Sequence, residues 1–416
     1  MENSNSRKLK HKNITMAPPT PTATTSHNSI SNNNSIQPFE YATGVKVLTD
    51  SSNLKAVPSK FNYTNQPTGL ISDSLPVVDF SALTAAADPD QRSRAVQGLA
   101  KACQEWGFFI LVNHGIGEEL MNGVFGALKG FFNLPESVKK RYEAKSASDP
   151  IKCGNFNVST ISNQTFTLWR DYLKLYVHPE FHCPSQPHTL RKCEELYETM
   201  RNGKGEDHFG TEGVLFYIRV NCRKVLLEYT EQTRKLAREL VEAVSEALDL
   251  DKHYVDEVLK LNSSFQMFAA NLYPPCPEPD QAIGIPPHTD PGLFTFLVHN
   301  GVAGLQIEHD GQWFEADSPQ NSILVNAADQ LQIFTNGRIK SVKHRAVVNS
   351  ERERISIVVA NGPSGEAIVG PIGLLVERDG RALYRPMKYI EYVESQLTKS
   401  RVDGKPILEQ MMIEED

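Results

Sequence analysis

His288 and Asp290 stand two residues apart in His288-Thr-Asp290, and a further histidine, His344, follows in Lys343-His344-Arg345. Two imidazoles and one carboxylate are the ligand set of a facial triad. Such a set suits non-haem Fe(II), because it fills one face of the ion and leaves positions open for oxygen chemistry. On a strand, residues i and i+2 project from the same face, so His288 and Asp290 can reach one ion. The tripeptide alone is weak in a chain with 12 histidines, since a turn histidine beside a carboxylate spells the same letters. It gains weight from His344, which lies several expected strands further on, where the chain can return to the same metal.

Arg354 and Ser356 come next, again on one face of an expected strand. A guanidinium beside a hydroxyl suits an anionic carboxylate, held bidentately and with one added hydrogen bond. The competing reading is a surface ion pair within Glu351-Arg-Glu-Arg354. The run continues Ile-Ser-Ile-Val-Val, so Arg354 is expected to point inward.

The elements that must position these groups change character at Asn262. Before it, Leu75–Asp79 and Phe108–Val112 read as short strands. Val96, Leu99, Cys103 and Trp106 mark one helix, Leu120 to Phe131 another, and 222–249 a long scaffold helix. After it, apolar runs at 265–272, 293–298, 304–307, 322–326, 330–334 and 354–360 read as strands, separated by Asn300-Gly301, Asp310-Gly311 and Asn336-Gly337 turns. A helix is expected from Tyr389 to Leu397. The fold class is therefore mixed α/β with a mainly β core, a double-stranded β-helix (jelly roll) flanked by helices. His114, in Asn113-His-Gly115, reads as a hydrogen-bonded turn residue rather than a ligand. The stretch from 145 to 190 shows little periodicity but many aromatics, among them Phe156, Phe166, Trp169, Tyr172 and Tyr176, expected as core packing or as the wall of an apolar pocket.

A chain of 416 residues can bury a sizeable core. Its net charge of −7 gives no reason to expect nucleic acid or a membrane surface as partner. No apolar run approaches the roughly 20 residues of a membrane helix. Six cysteines without paired spacing point to a reducing compartment. The expectation is a cytoplasmic monomer acting on a small molecule. Residues 1–43, rich in Asn, Ser, Thr and Pro, read as a disordered leader, with a plastid transit peptide as the lesser alternative. The remaining divisions are an N-terminal region at 44–189, an insertion of uncertain structure at 190–220, the scaffold helix region at 221–262, the catalytic core at 263–375 and a C-terminal helical segment at 376–416.

From about 44 to 412, apart from that insertion, the chain resembles the plant 2-oxoglutarate- and Fe(II)-dependent dioxygenases of specialised metabolism, a group close to isopenicillin N synthase. The resemblance rests on Gly44-Val-Lys, Glu105-Trp-Gly-Phe-Phe109, Asn113-His-Gly115, Phe132-Asn-Leu-Pro135, Trp169-Arg-Asp171-Tyr and Asn271-Leu-Tyr-Pro-Pro-Cys-Pro277. It continues through His288-Thr-Asp290-Pro-Gly, Leu305-Gln306, Thr335-Asn-Gly337, His344-Arg345 and Arg354-Ile-Ser356. The resemblance implies iron held by His288, Asp290 and His344, which are also the catalytic residues. It places 2-oxoglutarate against Arg354 and Ser356, helped by Asn271 and Tyr273. Dioxygen is the oxidant and ascorbate the reductant, and the products are succinate, carbon dioxide and a hydroxylated substrate.

The substrate pocket is expected to include Phe156, Phe166, Phe294 and Ala360. Ala360 departs from the many relatives that carry a stacking aromatic there, which widens the expected pocket and argues against a flavonoid substrate. The expected activity is hydroxylation of a small, largely apolar plant metabolite. Demethylation, desaturation or ring closure begin with the same hydrogen abstraction. An iron oxidase that dispenses with 2-oxoglutarate, and a binding protein without catalysis, are the other readings.

Overall fold

The computed structural model describes residues 44–51, 54–63, 70–71, 74–84, 87–146, 148–155, 157–159, 165–184, 222–398 and 405–414. The expected leader, the 190–220 insertion and Phe156 lie outside them.

In chain order the strands are β1 (Leu70–Ile71), β2 (Val77–Asp79), β3 (Phe108–Val112), β4 (Ile151–Gly154), β5 (Asn157–Ser159), β6 (Thr165–Thr167), β7 (Asp171–His178) and β8 (Phe265–Tyr273). They continue as β9 (Ile285–His288), β10 (Phe294–His299), β11 (Leu305–His309), β12 (Gln312–Glu315), β13 (Ile323–Ala327), β14 (His344–Ala346) and β15 (Arg354–Gly362). Among the described residues they form two main sheets. The larger runs β2-β3-β13-β10-β15-β8-β7-β4, and the smaller β1-β12-β11-β14-β9. Pairing is antiparallel except at β2–β3 and β1–β12. This is a jelly roll, as expected from the turn-punctuated apolar runs.

The helices pack on one face of the larger sheet. The Pro89–Glu105 helix starts where Asp88 accepts from the Asp90 and Gln91 backbone N–H groups and Pro89 takes the first position. It ends at Gly107, whose φ of +63° and whose closeness to the Lys340 carbonyl leave no room for a side chain. Leu99, Val124, Leu128, Tyr229, Leu236 and Leu240 then meet Phe109, Phe268, Phe296 and Ile357 of the sheet in one core. Each such side chain contributes about 1.5–3 kcal/mol by leaving water. This packing leaves the sheet's other face for polar groups.

Three expectations change. Residues 330–334 are not a strand but part of the helix Asp329–Phe334. The segment is buried on nearly every side, so its sequence lacks the one-sided stripe that betrays a helix. Within 145–190, where the sequence shows little periodicity, β7 pairs with β8 from Asp171 to His178, with a register shift between Tyr176 and His178. From Leu173 its burial alternates, Leu173, Leu175 and Val177 entering the helix-side core while Lys174 and Tyr176 face the other way. β12 was not expected, and it pairs with β11 through the Asp310-Gly311 turn, both residues at positive φ. No helix among the described residues is long and apolar enough to cross a membrane.

Candidate metal and anion site

His288 closes β9, and His344 opens β14 directly opposite it in the register. Their rings stand 4.3 Å apart. Asp290 lies just beyond the end of β9, in irregular backbone, so strand alternation alone does not account for its aim. Its backbone carbonyl accepts from the Asp329 N–H at 2.9 Å, and its Oδ2 accepts from Asn326 Nδ2 at 3.2 Å. Those bonds turn the carboxylate towards the histidines. His288 Nε2 is 3.7 Å from Oδ1, and His344 Nε2 is 3.7 Å from Oδ2. The three groups form the candidate metal-holding cluster found among the described residues.

Their charge states suit a divalent cation, whose ligands must be neutral imidazole and ionised carboxylate. Burial and the neighbouring His344 hold the His288 imidazole down to about 4. Burial pushes the Asp290 carboxyl up, but the two imidazoles and the polar side chains of Thr295 and Asn326 outweigh it and keep it below the ordinary range. Each histidine meets a backbone carbonyl through its other nitrogen, where only donation is possible, His288 Nδ1 at 2.9 Å from Pro286 O and His344 Nδ1 at 3.2 Å from Val342 O. A carbonyl there requires N–H on Nδ1, which leaves the Nε2 lone pair free for an ion.

Opposite residues of paired strands share a face. Arg354 lies opposite Tyr273, and Ser356 opposite Asn271, so all four groups expected around 2-oxoglutarate share one side of the larger sheet. Asn271 Nδ2 donates to Ser356 Oγ at 3.3 Å. The Arg354 guanidinium sits 5.1 Å from the Tyr273 ring centre. It is 1 % exposed and spends Nε on the Val302 carbonyl at 3.1 Å, while Nη1 and Nη2 are buried with no hydrogen-bond partner among the described residues. A buried cation with two idle donors fits a carboxylate and fits little else. Gly304 makes room for it, since a Cβ there would stand 3.1 Å from Arg354 Cδ.

Of the expected pocket residues, Ala360 lies opposite Thr295 and Met267 on this same inner face. Phe294 does not. It pairs with Asn361 and packs against Phe109 in the helix-side core, because alternation along β10 puts Thr295 inward and Phe294 outward. Phe166 joins a separate small cluster with Leu168 and Ile283. His114 accepts the Ile116 N–H and meets the Asn321 carbonyl, a turn residue as expected.

Two contributors went unread in the sequence. Asp329 is buried under Asp290 and accepts from Ser341 Oγ at 2.6 Å, Tyr392 OH at 2.8 Å and Thr289 Oγ1 at 3.2 Å. Burial pushes its carboxyl up to about 7. A lone acid inside an otherwise uncharged buried run was the available signal. The other is Arg170, 6 % exposed, whose Nη1 donates to Asn271 Oδ1 at 2.9 Å.

This arrangement can hold one divalent cation beside one bound carboxylate. The chain as a whole is similar to known proteins in sequence and in fold. The model of the 2OG-Fe(II) oxygenase superfamily matches residues 264–363, and that of the non-haem dioxygenase in morphine synthesis N-terminal region matches 75–196. 2-oxoglutarate-dependent dioxygenase 19 of Oryza sativa subsp. japonica is 40% identical over 79% of this chain and 88% of its own. Thebaine 6-O-demethylase of Papaver somniferum is 32% identical over 86% of this chain and 93% of its own. The crystal structure of JOX2 in complex with 2OG, Fe and JA superposes with a TM-score of 0.70 at 27% identity, covering 90% of this chain and 99% of that one.

Proposed function

The chain belongs to the 2OG-Fe(II) oxygenase superfamily, and on that premise we propose that it hydroxylates a small, largely apolar metabolite while converting 2-oxoglutarate and dioxygen to succinate and carbon dioxide. The observation that carries the reading is the pairing of the His288–Asp290–His344 cluster with a buried arginine whose Nη1 and Nη2 lack partners.

His288, Asp290 and His344 would hold Fe(II), which when bound supplies the activation of dioxygen that side chains cannot provide. Arg354 takes the distal carboxylate of 2-oxoglutarate on its two idle donors, and Ser356 adds a hydroxyl. Asn271 keeps Ser356 oriented through their 3.3 Å bond, and the Tyr273 ring supports the guanidinium plane. Asp329 fixes the backbone of the metal-binding segment and is itself tied to the C-terminal helix Tyr389–Thr398 through Tyr392. Inner-face residues such as Met267, Val358 and Ala360 leave an apolar floor for the substrate.

The test is succinate release by purified protein with Fe(II), 2-oxoglutarate and a plant metabolite extract. Release that depends on both the extract and 2-oxoglutarate supports the reading. Oxygen uptake that persists without 2-oxoglutarate would make the protein an oxidase. Formaldehyde appearing in step with succinate would replace hydroxylation with demethylation. Tight ligand binding with no turnover on any fraction would make it a binding protein.

A further inference from the structure

Arg170 lies one residue before β7. Asp171 faces away from the cavity, its carboxylate accepting the Val45 and Lys46 backbone N–H groups. Alternation therefore turns Arg170 and Tyr172 inward, and the guanidinium of Arg170 lies 5.7 Å from the Tyr172 ring centre. Since Asp171 pairs with Leu272, Arg170 continues the row made by Tyr273 and Arg354. Two buried arginines thus flank one tyrosine, on strands two apart, with backbones roughly 10 Å from each other.

The two arginines are alike in what they lack. Among the described residues, Arg170 Nε is buried without a hydrogen-bond partner, as are Nη1 and Nη2 of Arg354. No carboxylate among the described residues forms an ion pair with Arg170; its side-chain partners, Asn271 and the Tyr273 hydroxyl, are both neutral groups. Keeping a guanidinium out of water without an opposite charge is costly, and removing water from it is offset only when an anion arrives. Lys174, two positions along β7 from Tyr172, brings a further positive charge to the same face, which holds no acid across β7, β8 and β15.

2-Oxoglutarate has one carboxylate left over once its keto-acid end is at the metal, and Arg354 has the donors for it. We propose that Arg170 anchors a carboxylate of the substrate, so that the substrate class is a small carboxylic acid with an apolar body. The proposal rests on the reading of Arg354 as the co-substrate anchor. The acid end meets Arg170, and the apolar body extends from it along the inner face of β8 towards Ala269.

The experiment uses the full chain loaded with Mn(II) and 2-oxoglutarate, and reads the melting temperature as well as turnover. The probes are the anion-exchange-retained fraction of a leaf extract, the same fraction after methyl esterification, the flow-through fraction, and phenylacetate against methyl phenylacetate as a defined pair. The retained fraction is expected to raise the melting temperature and, with Fe(II), to drive succinate release, and esterification is expected to remove both effects. Arg170→Gln should lose at least 30-fold in response to the retained fraction, while its dissociation constant for 2-oxoglutarate moves less than threefold; Arg170→Lys should recover part of the response. A response confined to the flow-through fraction, or one that survives esterification, overturns the proposal. So does an Arg170→Gln protein that responds as wild type does. If Arg170→Gln weakens 2-oxoglutarate as steeply as Arg354→Ala, the anion Arg170 reads is the co-substrate, and the proposal fails. Wild type that does not bind 2-oxoglutarate at all would instead sink the reading beneath it.

Discussion

Replacing Arg354 by Met keeps most of the side-chain volume and removes the charge. In the ligand-free protein that charge is 1 % exposed, with Nη1 and Nη2 unpartnered, so its loss relieves a desolvation cost and the variant should melt no lower than wild type. Binding moves the other way. A charge-assisted bidentate pair in a dry site is worth on the order of 2–5 kcal/mol on truncation, which is roughly 30-fold to several thousand-fold in the Kd for 2-oxoglutarate. At a concentration 100 times the wild-type Kd, 2-oxoglutarate stabilises wild type by about 2.7 kcal/mol, and a variant weakened 100-fold by only about 0.4 kcal/mol. Arg354→Lys should recover part of the loss, because an ammonium cannot offer the planar fork. Ser356→Ala should be milder, since it deletes one hydrogen bond and leaves the charge. Calorimetric titration of 2-oxoglutarate into each Mn(II)-loaded protein measures the affinities, and thermal melts measure the stability. An unchanged Kd in Arg354→Met would refute the assignment. A lower melting point without ligand would show that the guanidinium is structural, paired in a way that the orphaned donors do not reveal.

His344→Ala should cut Fe(II) and Mn(II) affinity and abolish turnover while leaving the circular dichroism spectrum intact; near-normal activity would dissolve the triad. Gly304→Ala puts a Cβ 3.0 Å from the Val347 carbonyl and 3.1 Å from Arg354 Cδ at φ +144°, so it should cost about 1–3 kcal/mol of stability. It should also weaken 2-oxoglutarate by less than Arg354→Met does, and equal losses would mean that the glycine acts on more than the arginine. Asp329 titrates near 7 in the fold against an ordinary 3.8, so between about pH 4 and 7 the native state holds a proton that the unfolded chain has released. Stability of the metal-free protein should fall across that window by about 4 kcal/mol from this group alone. Asp329→Asn should lack that component, and a wild-type minus variant difference that stays flat from pH 4.5 to 7.5 in urea titrations would contradict it.

His288 with Asp290, and Arg354 with Ser356, were legible because each pair occupies one short segment, H-x-D and R-x-S; His344 joined them because turn residues mark the intervening strands that bring the chain back. Asp290 shows where local reading runs out. It lies past the end of β9, and its aim depends on Asn326 and Asp329, residues made adjacent only by the fold. Phe294 fails for a related reason. An unbroken Phe-Thr-Phe-Leu-Val run does not say which face is inner, and only the partners of Thr295 and Asn361 decide it. The Asp329–Phe334 helix hid in a short stretch that is buried almost throughout, its polar residues included. Arg170 was visible as a letter in Trp-Arg-Asp, but that no acid among the described residues pairs with it is a property of three dimensions.

The alternation at Arg170 and Asp171 has a consequence for how such a chain can change. Asp171 holds the Val45–Ser51 helix from outside, and Arg170 supplies positive charge within. A slip of β7 by one position against β8 would exchange them, carrying an acid into the cavity and leaving the helix facing a base. The sign of the cavity is thus a matter of parity. Substitutions along β7 can retune the lining gradually, but a gain or loss of a single residue within the pairing inverts it, whereas a change of two returns each charge to its own side.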